Sequence, residues 1–282
     1  MKMKTPNRIR SSVTLSLVEE SRGGPFVLWD GIAGSMDLAS SMGFDGVEIF
    51  PPDAESLAGV PIGQMAADRN LSIAAIGTGA GWVKHRLSLA DGSADKRREA
   101  IEFIARIVEV AASLGAGAII GSMQGRSTPE VSKERARGYL REGLEALDSL
   151  AAKISGRVFY EPLNRYETDQ CNTLESGCRM IEGLGSTTLL ADWFHMNIEE
   201  GDMARSLREA GDRVGHVHFA DTNRSAVGMG HLDVGPLINA LRDIDYNGYL
   251  SAEVFPLPSS IVAAEVTLES YRRYVSWLQA RG

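Results

Sequence analysis

Cysteine is nearly absent: Cys171 and Cys178 are the two in 282 residues. They are too few for a disulfide framework and lack the paired spacing of a zinc knuckle. Reduced thiols in a cytoplasmic protein are expected. Long apolar runs are missing too. No stretch reaches the roughly 18 consecutive apolar residues that a membrane span needs. The basic start, Met1-Lys2-Met3-Lys4-Thr5-Pro6, runs into Asn7 and Arg8 without the apolar segment of a secretory signal, so export is not expected. Positive charge is scarce. The chain has 29 Lys and Arg against 37 Asp and Glu, a net charge of −8, and no basic cluster to meet a phosphate backbone or an anionic lipid surface. These absences argue against nucleic-acid and membrane partners. No Pro/Ser-rich linker or low-complexity tract interrupts the chain, so residues 1–282 are expected to form one domain.

What is present is an alternation of short runs rich in Val, Ile and Leu, polar turns, and longer stretches with helical periodicity. The strand candidates are Ile9 to Leu17, Gly46 to Phe50, Ser72 to Gly77, Ala118 to Gly121, Val158 to Glu161, Leu189 to Asp192, Val214 to Phe219 and Tyr249 to Val254. Between them, Ala100 to Leu114 places Ile101, Ile104, Ala105 and Val108 on one stripe, with Gly115 as a helix stop. Arg137 to Leu150 and Ala263 to Leu278 carry similar stripes. Continuous apolar strands alternating with helices mean a parallel sheet covered by helices, and eight such units predict a closed (β/α)₈ barrel. The run Gly77-Thr78-Gly79-Ala80-Gly81 superficially suggests a dinucleotide loop. No helix start is evident at once after it, so it is read as a barrel loop and no nucleotide cofactor is expected.

In such a barrel the carboxyl ends of the strands build the active site. Glu161, Asp192, His218 and Glu253 each lie at or near the end of an apolar strand, at separations of 31, 26 and 35 residues. Each separation is about one βα unit of roughly 30 residues. Four adjacent strands therefore bring three carboxylates and one imidazole to one level of the barrel mouth. Burying that charge unpaired costs several kcal/mol, about the penalty of an uncompensated buried ion. Arg165 and Arg224 lie nearby in sequence, but cannot easily neutralise three acids and still leave a cleft. A divalent cation resolves the conflict, and an oxygen-rich set with one nitrogen suits Mn²⁺, Mg²⁺ or Co²⁺. Alternation along the strands points His216 the same way as His218 but one layer deeper, where it supports or packs rather than ligates. Glu48 also faces inward, either to hydrogen-bond a ligand hydroxyl or to pair with a base. His231 follows Gly228-Met229-Gly230 in a loop, where it either faces solvent or contacts substrate, and His85 and the Gly125-Arg126 pair are in reach of the mouth without being compelled to it.

The segments Glu161-Pro162-Leu163-Asn164-Arg165-Tyr166-Glu167, Asp192-Trp193-Phe194-His195-Met196-Asn197-Ile198-Glu199-Glu200 and His218-Phe219-Ala220-Asp221-Thr222-Asn223-Arg224 resemble those of the xylose-isomerase-like TIM barrels. The likeness is greatest to the ketose 3-epimerase branch, which includes D-tagatose, D-psicose and 5-keto-L-gluconate epimerases. It runs from the second strand to the eighth, where Ser251-Ala252-Glu253-Val254-Phe255-Pro256 matches well. The loop Asn223 to Asp233 departs from the D-psicose enzymes.

The resemblance implies that Glu161, Asp192, His218 and Glu253 bind one Mn²⁺-type ion, that Glu161 and Glu253 are the proton-transfer pair, and that Glu167, His195 and Arg224 hold substrate oxygens. The function it implies is a divalent-metal-dependent isomerase of carbohydrate metabolism, a ketose or keto-sugar-acid 3-epimerase. It would remove and return a proton at the carbon next to a ketone through a metal-stabilised enediolate. The alternatives on the same site are an aldose-ketose isomerase of hydroxypyruvate-isomerase type and an inosose-dehydratase-like lyase. Endonuclease IV shares the architecture, but its trinuclear zinc site needs more histidines than the five present. The expected partner is a small, unphosphorylated sugar or keto-sugar, and a homo-oligomer, dimer or tetramer, is compatible with the sequence.

Overall fold

Residues 9–279 are described in a computed structural model of the chain; the basic start read above, Met1 to Arg8, lies outside them. Eight strands form one closed barrel in sequence order: β1 (Arg10–Ser16), β2 (Gly46–Phe50), β3 (Ser72–Gly77), β4 (Gly117–Ile120), β5 (Arg157–Tyr160), β6 (Thr187–Asp192), β7 (Val214–His218) and β8 (Tyr249–Ala252). Every neighbouring pair is parallel, including the closing pair β1 and β8. This is the expected (β/α)₈ architecture. Parallel strands need crossover helices, and the helices cover the outer face of the barrel.

Two apolar layers result. Most of the core lies between barrel and helices, where the helix Ala94–Ser113 buries Ile104, Ile107, Val108 and Ala111. The stripe is rotated from the expected one, so Ile101 and Ala105 flank it half-buried. The helix begins at Ser93, whose side chain accepts from the Lys96 amide, and the chain turns away at Gly115, where φ is +69°. Inside the barrel, Ala75, Ile119, Phe159 and Leu190 form a separate apolar floor.

Five strands, β1, β4, β5, β7 and β8, end one or two residues sooner than their sequence pattern suggests, and at two of them this sets the site. β5 stops at Tyr160 and β8 at Ala252, so Glu161 and Glu253 stand one residue beyond the ladder. The backbone leaves the sheet there to form the rim, and both carboxylates are set at the mouth. The reading of the glycine-rich run Gly77 to Gly81 needs a correction: a six-residue helix, Ala80–His85, starts within it. Its glycines serve packing. A Cβ at Gly77 would come within 2.7 Å of the Phe50 ring, and one at Gly81 within 2.6 Å of the Met123 sulfur.

Candidate active site

The register of the barrel places Asp192 beside His218, and His218 beside Ser251 two residues before Glu253. Ligand atoms of Glu161, Asp192, His218 and Glu253 lie within 4.8 Å of one another. His218 Nδ1 is the centre of the group, 3.2 Å from Asp192 Oδ2, 3.5 Å from Glu161 Oε1 and 3.6 Å from Glu253 Oε2. Glu161, Asp192 and His218 are buried, and the Glu253 side chain is 15% exposed. The four residues that sequence spacing brings to one level are therefore adjacent in space.

Each is held by its own element. Asp192 divides its two oxygens between tasks: Oδ1 caps the helix Trp193–Glu199 by accepting from the Phe194 and His195 amides at 2.7 and 3.3 Å, while Oδ2 faces His218. Glu161 is anchored through its backbone. Its amide donates to Ile120, and its carbonyl accepts from Gln124 Nε2 at 2.9 Å, with Tyr160 donating to Gln124 Oε1. Gly121 leaves the space that the Glu161 carboxylate occupies, since a Cβ there would collide with it.

The charge balance is strained without a further positive charge. Burial disfavours ionisation of Glu253, and with Glu161 and Asp192 beside it the carboxyl is pushed up to about 7, although His218 and Arg224 act the other way. Burial opposes charge on His218 as well, but Glu253, Glu48 and the hydrogen-bonded Asp192 outweigh it and raise the imidazole well above its ordinary value. Arg165 offers no help, because its guanidinium is held by Glu199 at 2.9 Å through both Nε and Nη2. Arg224 alone reaches the acids among the arginines near the motif, with Nη2 2.6 Å from Glu253 Oε2 and 3.9 Å from Asp192 Oδ2.

A divalent cation fits this site on two grounds. Glu161 Oε1 is buried with no hydrogen-bond partner, a costly state for a carboxylate oxygen that a coordinated ion relieves. The donor set, three carboxylates and one imidazole, matches a hard or borderline ion.

The remaining predicted residues ring the tetrad. Asn164 donates to His195 Nδ1 from both its backbone amide, at 3.3 Å, and its side chain, at 2.7 Å. The backbone amide can only donate, so Nδ1 is the acceptor and the proton sits on Nε2. That Nε2 is buried without a partner, 3.8 Å from Glu161 Oε1 and 3.7 Å from Asp192 Oδ2. Glu167 lies at the rim, 40% exposed, with Arg224 Nη1 3.5 Å from its Oε1. Arg224 adopts φ +57°, and is clamped by its amide donating to Asp221 and its carbonyl accepting from Phe255. Glu48 lines the cavity, yet both its oxygens face imidazoles: Oε2 lies 2.8 Å from His216 and Oε1 3.2 Å from His218. Of its two sequence readings, pairing with a base is the one the geometry displays. His231 is exposed, its Nδ1 3.4 Å from Thr222 Oγ1, His85 packs edge-on to Phe103, and Arg126 lines a different cavity beside Trp82.

A cavity of about 500 Å³ opens above the tetrad. Residues 20–26, Phe50, Gly77, Gly79 and Ile119 line one side, and Glu161, Glu167, Arg224 and Glu253 the other. Phe26 and Phe50 are stacked at 4.4 Å between ring centroids. Sequence reasoning missed these aromatics, as well as the anchoring roles of Gln124 and Asn164. No spacing rule links them to the tetrad, because they meet it only across strands.

The sequence profile of the xylose isomerase-like TIM barrel matches residues 36–277. The 3-dehydro-D-guloside 4-epimerase of Escherichia coli K12 is 32% identical over 251 residues, spanning 84% of this chain and 90% of that protein. The D-psicose 3-epimerase of Agrobacterium fabrum C58 is 27% identical over 243 residues, 82% of either chain. The crystal structure of D-allulose 3-epimerase from Methylomonas sp., in complex with D-allulose, superimposes with a TM-score of 0.79 over 96% of this chain and 99% of that one, at 22% identity, and so shares the fold. With the profile covering most of its length and the barrel closed as that family requires, the chain belongs to the xylose isomerase-like TIM barrel family.

Proposed function

We propose that this protein is a divalent-metal-dependent sugar epimerase that inverts a carbon next to a ketone. The observation that carries the reading is the tetrad itself: three carboxylates and one imidazole within 4.8 Å, with a buried, unpartnered oxygen on Glu161. The relatives support it. A 3-epimerase of a ketose such as psicose and a 4-epimerase of a 3-dehydro sugar have one step in common, proton exchange at the carbon beside the carbonyl. A ketose or keto-sugar-acid 3-epimerase is the form we favour, with Mn²⁺ ahead of Mg²⁺ and Co²⁺.

The bound cation supplies Lewis-acid stabilisation of the substrate oxygen on which negative charge develops. The protein does the rest. Glu161 and Glu253, beyond β5 and β8, face the substrate from two sides. One takes the proton from one face of the carbon and the other delivers a proton to the opposite face. His195 donates from Nε2, Arg224 donates from its guanidinium, and Glu167 accepts, holding substrate oxygens in register with the two carboxylates.

The test is incubation with ketoses, keto-sugar acids, 3-dehydro sugars and inososes plus Mn²⁺ in D₂O, followed by NMR. Deuterium at a single carbon beside the ketone, in both epimers, is expected. Loss of water from an inosose would replace the reading with a lyase, and an aldose product with an isomerase. Removing the ion with EDTA is expected to stop turnover and Mn²⁺ to restore it; full activity in the chelated protein would sink the metal requirement.

A further inference from the structure

The three carboxylates of the tetrad meet His218 at one ring nitrogen. Nδ1 faces Asp192, Glu161 and Glu253, whereas Nε2 points away from them, 3.2 Å from Glu48 Oε1. The second oxygen of Glu48 lies 2.8 Å from His216 Nε2. The His216 ring is stacked on Phe159, with centroids 5.2 Å apart and planes 13° from parallel. Phe159 belongs to the apolar floor of the barrel. Glu48, His216 and His218 are each at most 4% exposed, so these contacts are made in a largely buried setting where they are strong.

An ionised carboxylate only accepts hydrogen bonds, so a Glu48 shared between two imidazoles keeps a proton on Nε2 of each. For His218 the consequence is specific. With Nε2 held by Glu48, the proton that a cation would displace is the one on Nδ1, which otherwise meets Asp192 Oδ2 at 3.2 Å, and its departure leaves the lone pair on the nitrogen that faces the tetrad. An imidazole free to rotate would lose this alignment, and one that kept its last proton on Nδ1 would present a proton instead of a lone pair.

We propose that Glu48, backed by His216, is a positioning residue for metal binding: it holds His218 with the Nδ1 lone pair aimed at the ion site. The inference rests on the reading of the tetrad as a divalent-cation site and adds the residues that orient its one nitrogen ligand. Glu48, His216 and His218 are also close enough to hold an ion of their own. Their separations are ordinary hydrogen-bond lengths, however, and the cluster offers three ligand atoms, one short of a closed tetrahedral site.

The experiment is calorimetric titration of Mn²⁺ into the chelator-stripped full chain, with bound metal counted by atomic emission, for the wild type, Glu48→Ala, Glu48→Gln and His216→Phe. One ion per wild-type chain is expected. Glu48→Ala should bind it about 10- to 100-fold more weakly, the usual loss when a partner of a ligating histidine is removed. Glu48→Gln and His216→Phe should show smaller losses in the same direction, with unchanged far-ultraviolet circular dichroism. If Glu48→Ala fails to fold, the two shape-conserving variants carry the comparison. Wild-type affinity in Glu48→Gln together with His216→Phe would overturn the proposal, because a packing role predicts that result. Two ions in the wild type and one in Glu48→Gln would overturn it in favour of a second metal site. A wild type that binds no ion would remove the tetrad reading and this inference together, whereas wild-type binding with indifferent variants removes the inference alone.

Discussion

The two halves of the barrel rim are built differently. The ends of β5 to β8 carry Glu161, Asp192, His218 and Glu253, with Arg224 in the loop after β7. The cavity-lining ends of β2 to β4 carry Phe50, Gly77, Gly79, Ile119 and Gly121, with Glu48 turned back onto the histidines. One half holds charge and the other provides shape. On the proposed function, charge is concentrated where a cation would bind and protons would move, while the facing wall would admit the substrate and exclude water. Substitutions in the charged half should therefore act on turnover, and those in the shaped half on substrate affinity.

The largest expected effect is Glu161→Gln or Glu253→Gln. Each should lower kcat by about 10²- to 10⁴-fold, the usual contribution of a positioned proton-transfer group, while circular dichroism stays that of a folded barrel. Near-normal turnover in either would break the assignment of chemistry to that half. Saturating Mn²⁺ should stabilise the chain against heat, by about 2.7 kcal/mol at a hundred times Kd, and EDTA should reverse the gain. A melting temperature indifferent to metal would count against the site.

Gly77→Ala tests the shaped half. Its Cβ would sit 2.7 Å from the Phe50 ring, so the ring must move or the chain lose about 1–3 kcal/mol to overpacking. KM should rise more than kcat falls, and a pure kcat effect would mean that the two halves are not separable. The smallest effect concerns the loop that bears Arg224. The Asp221 carboxylate accepts from the amides of Thr222, Gly228 and Leu232 at 2.7, 2.8 and 3.0 Å. Burial opposes its ionisation, but these amides prevail and hold it below the usual carboxylate value. A lowered folded pKa means that the stabilisation is present above the unfolded value, about 3.9, and disappears as pH falls through the folded one. Asp221→Asn should thus cost stability at pH 7, by about 1–2 kcal/mol for weakened charged hydrogen bonds, and make the acid limb of a melting-temperature profile shallower. An unchanged limb would show that the clamp does not depend on charge.

Much of the barrel was legible because each strand is a short apolar run between polar turns. Gly46–Phe50 and Ser72–Gly77 coincide with their sequence limits. Ladder ends were less legible, since Glu161 and Glu253 follow apolar residues without any signal that pairing stops one position earlier. The helix at Ala80–His85 was missed because its opening glycines disfavour helix locally, and packing against Met123, Phe103 and Phe50 selects them there. The tetrad could be found from spacing because one residue at the end of each successive strand recurs with the βα period. Glu48 was ambiguous for the opposite reason: its partners lie 168 and 170 residues away, and periodicity shows which face it is on but not what meets it.

The sequence by itself determined the order of elements, the closed parallel barrel they imply, and the strand ends at which acids and histidine gather, because these depend on local pattern and on a repeat of nearly constant length. Only the tertiary structure decided which oxygen of Asp192 is left for the site, which nitrogen of His218 faces the acids, and that Arg165 is spent on Glu199 while Arg224 is not. Those choices are made by hydrogen bonds and ion pairs between residues distant in the chain. Their energies depend on ångström separations in a buried, low-dielectric interior that no one-dimensional pattern records.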